Sequence, residues 1–179
     1  MTCVIYKSLS GFTKRYATLI ASELECDIFE LTKDNLEKIE KYQVIIFGGS
    51  LHAVGINGLK AFKEKVKHMP FEAKKCVIFA VGASPNKEGL AEEIIKANLT
   101  DMTQYQFFYL RGGFDYSKLD FKNKALMNLL KFKIKLKKNR TPDEIGMLKA
   151  YSHPLDVVST KNIEPLIHYV KHIRFEEIK

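Results

Sequence analysis

The stretch Thr2-Cys3-Val4-Ile5-Tyr6-Lys7-Ser8-Leu9-Ser10-Gly11-Phe12-Thr13 decides the reading of the fold. A short run rich in β-branched residues, 2–6, gives way to three hydroxyls and a glycine, and then to a helical period. Tyr16, Ala17, Ile20, Ala21 and Leu24 recur at three- and four-residue spacing as one stripe, leaving Lys14 and Arg15 to face outward. The helix therefore begins near Gly11, directly after the strand. A phosphate placed at that junction meets the free N–H groups and positive dipole end of the helix. Ser8, Ser10 and Thr13 add hydroxyl donors, and Gly11 permits a close backbone approach, so residues 8–13 read as a cradle for a monophosphate. The same residue types also serve as plain helix caps. Neither G-x-x-x-x-G-K-[ST] nor the triple-glycine dinucleotide fingerprint is present.

Working outward, short β-branched runs alternate with helix-period stretches, as βαβ units require. Strands are expected at residues 2–6, 27–31, 42–47, 75–81 and 106–110, with later helices at 34–39, 57–66, 87–97 and 161–172. Right-handed crossovers then give an α/β fold with a five-stranded parallel sheet in the order 2-1-3-4-5 and helices on both faces. Ligands of such sheets sit beyond the carboxyl ends of the strands, at the point where strand order reverses. The loops after strands one, three and four are thereby singled out.

About 47 residues, 114–160, separate the fifth strand from the last helix, too many for a simple connection, so this insertion needs structure of its own. Residues 121–130 look helical, with Leu126, Leu129 and Leu130 on one side, whereas residues 131–137 alternate with a period of two, as a strand does. Thr141-Pro142-Asp143-Glu144 restarts a helix, with threonine as cap and proline at the first position. Gly112-Gly113 reads as an unusual turn into the insertion.

The chain has 179 residues, 46% of them hydrophobic, which suits one domain with a sizeable core, spanning residues 1–179. Its longest apolar runs are far shorter than the roughly 20 residues that span a bilayer. The N-terminus runs straight into a strand without a charged region, an apolar run or a cleavage site, and a cytoplasmic location is expected. Cys3, Cys26 and Cys76 are odd in number and scattered, which argues against a disulfide framework or a zinc site. The net charge of +8 is local: residues 118–140 carry nine basic residues and one acid, and the remainder balances at 20 of each. That segment, mixing Leu, Phe and Lys, suits peripheral contact with an anionic membrane or an acidic redox partner; a solvated lysine face is the plainer reading. It contains no nucleic-acid recognition module and offers only general electrostatics in that direction.

The pattern [ST]-x-[ST]-G-x-T, met at every position by residues 8–13 directly after the first strand, resembles the phosphate loop of flavodoxins. The resemblance extends to Phe47-Gly48-Gly49-Ser50 after strand three and Val81-Gly82-Ala83-Ser84-Pro85 after strand four, the two places where that family contacts the isoalloxazine ring. It implies a flavodoxin-like three-layer sandwich with FMN as cofactor. The site it implies consists of Ser8, Leu9, Ser10, Gly11, Phe12 and Thr13 around the phosphate, and of Ser50, Leu51, His52, Ala53, Val54, Gly82, Ala83, Ser84 and Pro85 around the ring. Residues 48–52 and the insertion opening at Gly112-Gly113-Phe114-Asp115-Tyr116 are also similar to menaquinone-dependent protoporphyrinogen oxidases. His52-Ala53-Val54-Gly55, however, stands where that group carries an arginine-tyrosine-glycine-like loop. Electron-carrier flavodoxins commonly stack the ring between tryptophan and tyrosine amid acids, and this chain has no tryptophan.

No nucleophile-base pair, paired carboxylates or metal-ligand spacing can be argued from the sequence, so the chemistry belongs to the cofactor. Arg111 has the fork to meet a carboxylate or the flavin edge, or to make an ordinary surface ion pair. Three functional classes follow. The first is an electron carrier working with a redox partner protein. The second is an FMN-dependent oxidoreductase of the protoporphyrinogen oxidase type acting on a quinone or a porphyrinogen, with a small planar electron acceptor as its partner. The third is a non-redox interaction domain.

Overall fold

The structure, a computed structural model, describes residues 1–69, 75–100 and 105–176. Its strands are β1 (Thr2–Lys7), β2 (Asp27–Glu30), β3 (Val44–His52), β4 (Gly55–Ile56), β5 (Lys75–Gly82), β6 (Gln106–Arg111), β7 (Gly113–Phe114) and β8 (Leu155–Asp156). The helices are α1 (Phe12–Leu24), α2 (Lys33–Lys38), α3 (Leu59–Lys67), α4 (Leu90–Asn98), α5 (Phe121–Leu136), α6 (Pro142–Ala150) and α7 (Glu164–Glu176). The main sheet runs β2-β1-β3-β5-β6, all parallel, with β4 folded back antiparallel on β3. With that hairpin strand set aside, the order is 2-1-3-4-5, as the alternation of strands and helices predicts.

Two-residue alternation along the central strands divides the core between two faces. Val4, Tyr6, Val44, Ile46, Val77 and Phe79 pack beneath α1 and α7. Cys3, Ile5, Ile45, Phe47, Cys76 and Ile78 pack against α3 and α4 on the opposite face. The result is a three-layer sandwich. On the second face the rings of Phe47 and Phe62 stack at 4.7 Å between centroids. Both are fully buried, so Phe62→Ala would remove about 3–5 kcal/mol of stability.

The expected stripe of α1 is buried, joined by Phe12 and Thr13, and the helix stops at Glu25, whose φ of 48° is left-handed. Lys14 and Arg15 face outward, and Arg15 forms an ion pair with Asp156 of β8.

Three local expectations need correction. The first concerns β3, which does not end at Phe47 but continues through Gly48-Gly49-Ser50-Leu51-His52, paired with β1 as far as Gly49 and with β5 as far as Ser50. The glycines are there for space. A Cβ on Gly48 would lie 2.0 Å from the Phe79 ring, and one on Gly49 would lie 2.4 Å from the Ile56 side chain.

The second concerns the insertion, where α5 is one continuous helix through the segment whose alternation suggested a strand. Ile134 is buried while Phe132 and Leu136 are exposed, so the period of two does not correspond to two sheet faces. Asp120 caps the start of α5 through the Asn123 N–H at 2.8 Å. Arg140 folds back on its end, donating to the carbonyls of Ile134 at 2.9 Å and Lys135 at 2.5 Å. The crevice side comprises Asn123, Met127 and Leu130, with Ile134 buried further along, and the three leucines read as one side are all exposed, Leu126 at 45%, Leu129 at 53% and Leu130 at 37%. The predicted capping of α6 by Thr141, with Pro142 at the first turn, is present as a full capping box with Glu144.

The Gly112-Gly113 pair also differs from the turn expected of it, because neither glycine has positive φ. A Cβ on Gly112 would lie 2.5 Å from Val81, and one on Gly113 would lie 2.2 Å from the Leu155 carbonyl and 2.7 Å from the Phe12 ring. Close packing over Phe12, with β7 pairing to β8, is what requires glycine here.

Candidate functional site

The first loop turns at Ser8, whose Oγ accepts the Gly11 N–H at 3.0 Å. Gly11 precedes α1 with φ of 89°, a left-handed value that glycine adopts without cost. It offers no side chain to cap the helix, and no acid sits in the first turn. The N-terminus of α1 thus retains donors and partial positive charge for an anion.

The third loop is a tight hairpin, with Ala53 and Val54 as its two-residue turn between the pairs Leu51↔Ile56 and His52↔Gly55. Ala53 has φ of 54°, a strained value for alanine. Asn98, at the end of α4, holds this tip: its Nδ2 donates to the Val54 carbonyl at 2.7 Å and its Oδ1 accepts the Ile56 N–H at 3.1 Å. His52 and Ala53 are exposed at the rim.

The fourth loop, residues 82–85, is anchored by Tyr109, whose hydroxyl donates to the Ser84 carbonyl at 2.7 Å. Burial pushes the Tyr109 hydroxyl up to about 12, with Arg111 opposing in part, so it remains a neutral donor. The Arg111 Nε lies 3.4 Å from the Ala83 carbonyl.

These loops meet at one crevice of about 310 Å³, at the small end of the range for cofactor sites. Leu9, Ser10, Phe12, Thr13, Ser50, Leu51, His52, Ala53, Gly82, Ala83 and Ser84 line it. The remaining expected residues sit just outside: Ser8 and Gly11 shape the first turn, Val54 is held by Asn98, and Pro85 lines a neighbouring cavity. Two buried side-chain oxygens lack any hydrogen-bond partner among the described residues, Thr13 Oγ1 and Ser50 Oγ. Both belong to this crevice, one on α1 and one on β3. Leaving a buried hydroxyl unpaired costs about 1–3 kcal/mol, so two in one cleft point to a polar ligand that satisfies them.

Sequence reasoning missed part of the wall. Tyr109 comes from β6, Phe114 from β7, and Asn123, Met127, Leu130 and Met147 from the insertion. The one available signal was the spacing of 123, 127 and 130, which share a helix face if residues 121–136 form a single helix. The insertion is therefore a wall of the crevice, tied down by the Tyr151 hydroxyl donating to the Met127 carbonyl and by the Phe114–Tyr151 ring contact at 5.3 Å.

The model of the flavodoxin domain matches residues 3–141, more than half of the chain. The chain belongs to the flavodoxin domain family. A comparison with curated proteins finds no match. Solved structures similar to this chain include a WrbA-like flavodoxin from Agrobacterium tumefaciens, at 24% identity, covering 59% of this chain and 74% of that one with a TM-score of 0.46. The Trp repressor binding protein of Bacillus subtilis is 18% identical, with coverage of 84% and 94% and a TM-score of 0.47. Oxidised flavodoxin 2 from Bacillus cereus is 20% identical, with coverage of 62% and 84% and a TM-score of 0.46. The fold assignment rests on the family match and the strand order rather than on these overlaps.

Within this flavodoxin fold, the crevice combines an anion-ready helix start, two buried hydroxyls without partners and a largely apolar wall. Those features fit a planar group that ends in a phosphate.

Proposed function

We propose that this flavodoxin-family protein binds FMN in the crevice and transfers electrons. The observation that carries the reading is the pair of unpartnered buried hydroxyls, Thr13 and Ser50, beside an uncapped helix N-terminus. Ser8, Leu9, Ser10, Gly11, Phe12 and Thr13 would hold the phosphate, by backbone N–H groups and hydroxyl donors. The ring would lie between Ser50, Leu51, His52, Ala53 and Val54 on one side and Gly82, Ala83, Ser84 and Pro85 on the other. When bound, FMN supplies one- and two-electron chemistry at its ring. The protein's part is to hold and shield it: Leu51, Leu90 and Met127 exclude water, and the hairpin anchored by Asn98 keeps one wall in place. Cys3, Cys26 and Cys76 form no disulfide among the described residues, which supports a reducing compartment such as the cytoplasm.

A second cavity of about 500 Å³ favours an alternative, an FMN-dependent oxidoreductase of the protoporphyrinogen oxidase type. It adjoins the crevice, sharing Ala83, Ser84, Phe114 and Met147, and Arg111 lines it. A quinone ring, or a porphyrinogen with its polar edge, is the substrate class that such a pocket suits. The flavin-loaded protein separates the readings when assayed with reduced nicotinamides, menaquinone analogues and porphyrinogens. An electron carrier is reduced only through a reductase and turns nothing over alone. Turnover by the isolated protein selects the enzyme.

A further inference from the structure

Helix α5 has two apolar sides, of which the crevice uses one. Its inward side holds Asn123, Met127 and Leu130, which line the crevice, and Ile134, which is buried. The outward side is apolar too: Phe121 is 88% exposed, Leu129 53%, Phe132 60% and Leu136 68%. At 3.6 residues per turn these four, with exposed Ala125, fall within roughly 80° of arc and form one unbroken stripe along the helix. Lys122 and Lys133 border one edge of the stripe, and Lys124 and Lys135 the other. Lys133 and Lys135 have no carboxylate partner among the described residues. Residues 118–140, which contain the helix, carry the whole net charge of the chain.

We propose that α5 docks this protein on an anionic lipid surface, its stripe immersed at the acyl boundary and its lysines among the headgroups. An interfacial helix needs this arrangement of an apolar stripe between rows of lysine, and the basic rows commit it to a negatively charged bilayer. No helix among the described residues is long and apolar enough to cross a membrane, so attachment is by lying on the surface. A second copy of the chain is a poorer occupant, because a two-fold pairing of identical stripes sets lysine rows against lysine rows. Docking also places the crevice wall one helix diameter, about 10 Å, from the bilayer, where lipid-soluble acceptors reside. The membrane contact itself does not depend on flavin binding.

The full-length protein, with and without FMN, is sedimented with vesicles of phosphatidylcholine alone or of equal parts phosphatidylcholine and phosphatidylserine. Binding should occur only with the anionic vesicles and should weaken at high salt. Changing Lys122, Lys133 and Lys135 together to Gln should lower the partition coefficient by about 100-fold. The F132S/L136S variant should also lose binding, with circular dichroism unchanged in both. Because the chain has no tryptophan, F132W is a single reporter whose emission should shift to the blue on binding and be quenched by brominated lipid. Failure to bind anionic vesicles, or equal binding by the lysine and stripe variants, overturns the proposal. So does a concentration-dependent dimer dispersed by F132S, or retention on polyglutamate without vesicle binding, which would assign the face to a second copy or to an acidic protein.

Discussion

Asn98 of α4 donates to the Val54 carbonyl at 2.7 Å, tying the far end of a helix to the tip of the β3–β4 hairpin. The same amide accepts the Ile56 N–H and donates to the Ile94 carbonyl at 2.8 Å, so one side chain holds both sides of the turn. Through this contact the packing of α4 sets the position of residues 50–53 at the crevice.

Asn98→Ala should therefore act on both stability and binding. Unpairing two partly buried backbone groups is expected to cost about 1–3 kcal/mol in urea unfolding, and a loosened hairpin should weaken FMN binding by about 10-fold. Equal stability loss with unchanged FMN affinity would remove the hairpin from the site.

Thr13→Val and Ser50→Ala should have effects of opposite sign in two assays. Without ligand, deleting an unpartnered buried hydroxyl should leave stability unchanged or raise it by about 1 kcal/mol. With FMN, the lost hydrogen bond should weaken binding by roughly 10-fold or more. Variants that destabilise the free protein and leave FMN affinity alone would show that the hydroxyls serve the fold.

Acid should loosen the insertion before the sheet. Hydrogen bonds from Ser117 hold Asp115 below the usual carboxylate range, the Asn123 backbone does so for Asp120, and Lys137 with Thr141 does so for Glu144. Each carboxylate starts a turn or helix of the insertion: a short turn at 116–118, then α5, then α6. A depressed folded pKa contributes stability that is complete above the unfolded value near 4 and is lost as pH falls through the folded one. Hydrogen exchange compared at neutral pH and below pH 4 should show residues 115–150 losing protection first. Uniform loss across sheet and insertion would contradict this.

Arg111 should raise the potential for adding the second electron to bound FMN, since no carboxylate lines the crevice among the described residues and a cation favours the anionic reduced state. Arg111→Gln should lower that potential by on the order of 40 mV, about 1 kcal/mol for one electron, in a spectroscopic redox titration. No shift would place the guanidinium outside the reach of the ring.

The sheet order and the turn of residues 8–13 into α1 were legible because both rest on local signals: β-branched runs, one helical stripe, and hydroxyls with a glycine at a strand-helix junction. The extension of β3 through Gly48-Gly49 was not, since only the neighbouring Phe79 and Ile56 show that those glycines make room within a strand. The outer wall of the crevice was hidden for a related reason. Asn123, Met127 and Leu130 share a face only if α5 is one helix, and the Phe-Lys-Ile-Lys-Leu alternation suggested otherwise. Asn98 gave no signal at all, because its two hairpin partners lie more than 40 residues away in sequence.

The most direct measurement titrates the purified, flavin-stripped protein with FMN and with riboflavin, following absorbance and fluorescence, in the parent chain and in Thr13→Val. FMN should bind at micromolar or lower concentration with clear preference over riboflavin through the phosphate, and much of that preference should be lost in the variant. Failure to bind FMN, or equal affinity for riboflavin, would contradict a phosphate cradle at residues 8–13.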